Sequence, residues 1–171
     1  MTKPFLDTLP IISQVRRNHS LEHATMHLLA QRFKGLSMTG VSGVRGFYLL
    51  ADLPTETICE VSLEALKRLN AGEKELALHD NCGTNLAVPS ILAGIAIWAA
   101  MLGTDKDGNQ KWRRLPFALI FAVPVFLFSR PLGAVAQKYL TTSENPGSLT
   151  IKLVTTQKYS GRSLHHIFTH D

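Results

Sequence analysis

Asn18-His19-Ser20-Leu21-Glu22-His23-Ala24-Thr25-Met26-His27 reads as the start of a helix, and His19, Glu22 and His23 within it spell H-x-x-E-H, the reverse of the zincin order. At about 3.6 residues per turn, side chains four apart stack on one face, so both imidazoles can reach a single metal ion. Glu22 shares that face and can lean on a water at the metal without being a ligand. Three protein ligands and an open position make a catalytic zinc site, whereas four close it into a structural one. A third ligand must therefore come from elsewhere. The stretch His79-Asp80-Asn81-Cys82-Gly83-Thr84-Asn85 offers one, and Cys82 is the expected ligand. His27 lies roughly 12 Å along the axis from His19, too far for one ion, and reads as support or packing. The bland alternative is that seven histidines produce the motif by accident, since paired helix histidines are also common as surface or satisfied core residues.

At 171 residues the length suits one domain, with room for an appendage. The net charge of +5 is spread over scattered Lys and Arg. Only Arg16-Arg17 and Arg113-Arg114 cluster, without aromatic interleaving, so no nucleic acid is expected and an anionic membrane surface is the better partner. Two cysteines, with Cys82 assigned to metal and Cys59 to packing, make no disulfide framework and fit a reducing compartment. The first residues, Met1 to Asp7, lack the apolar run and cleavage site of a signal peptide.

Working outward, the motif helix is expected to run to about Phe33, with Gly35 as its cap. Residues 37–52 read as two strands turning near Ser42-Gly43, Phe47, Leu49 and Ala51 alternating against Tyr48, Leu50 and Asp52. Pro54 and Thr55 open a second helix that ends near Asn70, with Ile58, Val61, Ala65 and Leu69 as its apolar stripe and a Glu64–Arg68 pair on another face. Residues 75–79 read as a strand delivering Cys82. No charge occurs between Asp80 and Asp105. A second uncharged run, Leu115 to Ser129, extends to Gln137 if Arg130 snorkels. Between them lies a polar loop with Asp105, Lys106, Asp107, Lys111, Arg113 and Arg114.

Residues 86–103 and 115–137 are thus expected to form two membrane helices, the competing reading being a buried helical hairpin. The distribution of Lys and Arg does not decide sidedness. The missing signal peptide favours an integral membrane protein whose metal-binding part faces the cytoplasm. After 138, Leu149 to Val154 and Ser163 to His170 read as strands about a turn at Gly161. They are expected to complete the sheet begun before the membrane segment. His165, His166 and His170 are further candidates for the metal, with solvent-facing strand positions the commoner fate. The expected division is 1–86 and 138–171 as an α+β metal-binding domain, interrupted by a transmembrane hairpin at 87–137.

Three pieces in order, His19-Ser20-Leu21-Glu22-His23, Gly46-Phe47-Tyr48 and Cys82-Gly83-Thr84, resemble S-ribosylhomocysteine lyase (LuxS) over about residues 19–86. The helix motif also occurs in pitrilysin and mitochondrial processing peptidase, which share a related fold. The resemblance implies a LuxS/MPP-like metallohydrolase fold, with His19, His23 and Cys82 as metal ligands and Glu22 as acid/base. Zinc is the implied ion, with iron(II) as its substitute. The lyase pattern G-C-R-T-G-F-Y carries a second catalytic cysteine where Gly43 stands in this chain, and its arginine is displaced to Arg45. The whole chain also resembles an uncharacterised family of small, mostly cyanobacterial membrane proteins.

The expected function is a membrane-anchored zinc-dependent hydrolase, peptidase- or amidase-like, acting on a small molecule or peptide, with Arg45, Tyr48 and His79 as candidate substrate contacts. The alternatives are a non-catalytic membrane assembly or scaffolding subunit with a structural metal, and a LuxS-like lyase. Membrane lipid, a second copy of the chain and a larger membrane complex are the partners this reading allows.

Overall fold

Helix α1 spans Pro10–Arg32. Proline is well placed at the first helical position, because its φ is preset and its missing N–H would have had no partner there. Leu9 caps it in an extended conformation, and the Ser13 N–H reaches the Leu9 carbonyl at 2.8 Å. The helix begins about two turns earlier than the sequence suggests. The histidine motif therefore sits in the middle of a rigid element rather than at its fraying end. At the other end the Phe33 N–H bonds Leu29, and Gly35 turns the chain with φ +80°.

The computed structural model describes residues 5–102 and 108–171. Residues 1–4 and the loop positions Asp105, Lys106 and Asp107 lie outside that set. The chain divides into two units, Met1–His79 with Lys138–Asp171, and Asp80–Gln137.

The first unit is α+β. Strands β1 (Thr39–Gly43), β2 (Gly46–Leu50), β3 (Thr150–Tyr159) and β4 (Arg162–His170) form one antiparallel sheet in the order β1-β2-β4-β3. The C-terminal hairpin therefore completes the sheet as expected, with Phe47 paired to Ile167 and Leu49 to His165. Gly46 permits this pairing. Its φ is +130°, and a Cβ there would drive into the backbone of Ile167. Ser160 and Gly161, both at positive φ, form the two-residue turn between β3 and β4.

Phe47, Leu49 and Ile167 face inward onto Leu21, Ala24, Leu28 and Leu29 of α1. Helix α2 (Thr55–Asn70) adds Ile58, Val61, Ala65 and Leu69, its expected stripe, all buried. The anticipated Glu64–Arg68 pair does not form. Arg32 of α1 holds Glu60 at 3.0 Å and also binds Glu64, while Arg68 turns to Glu73. Glu64 thus goes to an arginine of another helix, and Arg68 to a carboxylate five residues on.

The strand expected over residues 75–79 is instead a 3₁₀ turn, Lys74–Ala77. Its N–H groups close locally, Leu76 onto Glu73 and Leu78 onto Glu75. The carbonyls of Ala77 and Leu78 are taken by His23 and His27. Those groups are thereby withdrawn from any strand ladder.

The second unit is helical, with α3 (Gly83–Met101), α4 (Gly108–Phe128) and α5 (Arg130–Ala136). Helix α3 is long and apolar enough to cross a membrane. Only 6% of its apolar window is buried, and Ile91, Ile95 and Trp98 point outward. The second run does not make one straight helix. Residues 112–128 and 130–141 meet at a bend of 49°. Pro131 explains the break: it lacks an N–H for the Leu127 carbonyl, and its ring clashes with that turn. Helices α3 and α5 pack tightly where Gly133 meets Asn85, since a Cβ at Gly133 would lie 2.7 Å from the Asn85 Cα.

Candidate metal centre

In α1, His19 and His23 lie with ring centroids 4.3 Å apart. His19 Nδ1 faces the Thr141 carbonyl at 3.0 Å, and His23 Nδ1 faces the Ala77 carbonyl at 2.8 Å. A carbonyl can only accept, so each Nδ1 carries a proton, and in the neutral ring each Nε2 then holds its lone pair. That is the tautomer a metal needs, fixed by the outer hydrogen bond that orients most ligating histidines.

Cys82 caps the start of α3 and is 8% exposed. Because His23 holds Ala77, Cys82, five residues on, stays within about 18 Å of that anchor along any chain path. The ligand atoms of His19, His23 and Cys82 all lie within 4.8 Å of one another. Two imidazoles and a thiol are a donor set suited to zinc, and also to iron(II). Glu22 is not part of that group.

Glu22 is nonetheless buried, at 4% exposure. Ser42 of β1 donates to its Oε2. Gly40, two residues earlier and on the same strand face, makes room for the carboxylate, because a Cβ there would stand 2.7 Å from Glu22 Cδ. One helical turn before it, Asn18 donates to the carbonyls of Gly43 (2.8 Å) and Val44 (3.2 Å) and accepts from Thr169. Sequence reasoning missed Gly40, Ser42 and Asn18. A small residue alternating with a hydroxyl on the strand after the motif helix was the available signal.

The remaining candidates separate clearly. His27 gives Nε2 to the Leu78 carbonyl at 2.6 Å and sits beside His79, centroids 4.8 Å apart. The His79 ring is 5.7 Å from that of His23. His165 is fully buried, donating from Nε2 to Ala51 and accepting at Nδ1 from Thr156. It is a satisfied core histidine. His166 lies on the outer sheet face, stacked on Tyr48 at 4.0 Å, and burial holds its pKa below the ordinary histidine value. Neither these two nor His170 joins the ligand group. Tyr48 alternates with the buried Phe47 and Leu49, so it points away from α1 rather than toward His19 and His23. At Arg45 the backbone carbonyl accepts from the Thr169 N–H.

Residues 14–154 match the model of a family described as a domain of unknown function, DUF6391. The chain belongs to that family. The DUF6391 match spans His19, Glu22, His23 and Cys82, the whole of the ligand group and its carboxylate. An uncharacterized protein of Picosynechococcus sp. is 31% identical over 151 residues, covering 81% of this chain and 72% of the relative. No solved structure matches the DUF6391 chain, so its likeness to the lyase and processing-peptidase group rests on the motifs alone.

Proposed function

We propose that this chain is a membrane-anchored metallohydrolase of the peptidase or amidase type, holding zinc through His19, His23 and Cys82 on a LuxS/MPP-like scaffold. The observation that carries the reading is the pair of histidines with both Nδ1 atoms committed to backbone carbonyls. Both Nε2 lone pairs are thereby presented from one helix face beside a buried thiol. An ion bound there would supply Lewis acidity and a nucleophilic water near neutral pH.

Glu22 is the proton carrier. Its position between the two histidines in sequence brings it to the same turn, and burial strengthens its interactions with whatever it faces. Ser42 holds Oε2, which fixes the plane of the carboxylate. The carboxylate accepts a proton from the attacking water and returns it to the departing amine. A purely structural centre has no need of such a group, and burying a carboxylate is costly unless hydrogen bonds such as that from Ser42 offset it. The thiol of the lyase pattern is absent at Gly43, whose carbonyl serves Asn18 instead. Lyase chemistry through that position is therefore not part of the proposal.

The anchor is α3 together with the bent α4–α5 pair, two spans with the metal unit on the cytoplasmic side. Its support is the outward-facing apolar surface of those helices, including Phe117, Ile120, Phe121 and Phe128. In water such a surface would be a large exposed apolar patch; in lipid it is ordinary.

Glu22→Gln keeps shape and most hydrogen bonding but cannot accept the proton. It should leave the metal content unchanged and fail to complement a deletion strain, since loss of a general base costs on the order of 10²–10⁴ in rate. Full complementation by Glu22→Gln, with His23→Ala failing, would make the metal structural and the chain a scaffold subunit.

A further inference from the structure

The second unit contains a cavity of 460 Å³, and Cys82 forms part of its wall. That volume is within the range of small-molecule sites, roughly 300–1,000 Å³. Its polar lining comes from Asp80 and Asn81 just before α3, Asn85 in the first turn of α3, and Arg130 at the break between α4 and α5. Ala134, one turn into α5, supplies the apolar side. Arg130 is the one charge in the long apolar stretch from Leu115 to Gln137. A charge kept in such a stretch, on the wall of a cavity, is a functional signal. Among the described residues no ion pair joins it to Asp80, and both exposed side chains line the cavity.

We propose that this cavity binds the substrate of the metal site, a small ligand carrying both an oxyanion and a hydrogen-bond-donating amino or hydroxyl group. Arg130 clamps the oxyanion, and Asp80 accepts from the donor. The planar guanidinium suits a carboxylate or phosphate because it offers two parallel N–H donors. An isolated guanidinium would select any anion; a carboxylate on the same wall selects for a ligand of mixed sign. Cys82 is at once a proposed ligand of the metal and a lining residue, so the cavity and the ligand group share that thiol. This inference rests on the hydrolase reading for the word substrate, but the cavity's selectivity does not depend on any metal. The same chemistry could be soluble or could belong to a lipid headgroup, given the apolar helices that frame the site.

The test uses the full chain, metal-free, in phosphatidylcholine nanodiscs, in a Cys59→Ser background, and follows iodoacetamide modification of Cys82. The probes are β-alanine, inorganic phosphate and nanodiscs containing phosphatidylethanolamine. An occupant should slow modification of Cys82. Arg130→Gln should raise the half-protecting concentration by about 10–100-fold, the loss expected for a charged bidentate contact. Asp80→Asn should weaken protection by β-alanine more than by phosphate. Ala134→Trp, which fills the cavity without touching its charges, should slow modification with no probe present. Protection by β-alanine assigns a soluble substrate, and protection by phosphatidylethanolamine alone assigns a lipid one. Absence of protection by every probe, or equal protection in Arg130→Gln, overturns the proposal. Metal content, measured separately, should be the same in Arg130→Gln as in the natural chain. A chain that shows protection but binds no metal would refute the hydrolase reading and leave the cavity assignment standing.

Discussion

Placing a methyl group at Gly40 should collide with one atom group, the Glu22 carboxylate, and the size of the collision can be read from the structure. A Cβ on Gly40 would lie 2.7 Å from Glu22 Cδ and 2.8 Å from Cγ, about 0.7 Å inside ordinary van der Waals contact. Glu22 cannot swing clear cheaply, because it is buried and Ser42 holds it. Overpacking of this kind costs about 1–3 kcal/mol, against about 0.4–1 kcal/mol gained because alanine narrows the unfolded ensemble. The net for Gly40→Ala is a loss of about 1–2 kcal/mol. For a chain of this length that is about 2–8 °C in thermal midpoint. In a Glu22→Ala background the obstacle is gone, so the same Gly40→Ala change should be neutral or slightly stabilising. The double-mutant cycle should therefore show a coupling of about 1–3 kcal/mol between two positions eighteen residues apart. Thermal unfolding followed by circular dichroism on the four purified proteins measures it. Additive effects within about 0.5 kcal/mol would mean that the carboxylate does not rest on β1, and the account of how Glu22 is held would fall.

His19→Ala, His23→Ala and Cys82→Ser should each lower bound zinc at least about tenfold, whereas Cys59→Ser should not; undiminished zinc in Cys82→Ser removes the third ligand. His165→Leu should destabilise the fold by about 1–3 kcal/mol, because it strands the Ala51 carbonyl and the Thr156 hydroxyl, yet leave zinc content unchanged. Burial lowers the His166 pKa, so the unfolded chain takes up its proton first as the pH falls. The His166 contribution is present above the unfolded value of about 6.5 and is lost as the pH drops through the folded one, and His166→Gln should flatten that part of a stability–pH curve. The chain should stay in the membrane fraction after alkaline carbonate washing, and full release would return α3 and α4 to a soluble hairpin.

The sequence by itself determined what depends on near neighbours. The i, i+4 spacing of His19 and His23 put both rings on one face before any tertiary contact was known. The stripe of Ile58, Val61, Ala65 and Leu69 and the alternation from Phe47 to Ala51 named their buried faces, because helix and strand periods are local properties of the backbone. Tertiary structure decided the rest. Residues 75–79 have an alternating pattern, but the Ala77 and Leu78 carbonyls are claimed by histidines more than fifty residues upstream, and a 3₁₀ turn results. His165 and His166 are neighbours of equal chemical type, and only the register of β4 against β2 sends one to the core and the other to the stacked outer face. Arg68 chose Glu73 over Glu64 because Arg32 came across from another helix. Glu22 can be recognised as chemically special from H-x-x-E-H alone. That it rests on Gly40 and Ser42 could not be read, because a contact between a helix and a strand depends on how two elements pack, and packing is settled by the whole core at once.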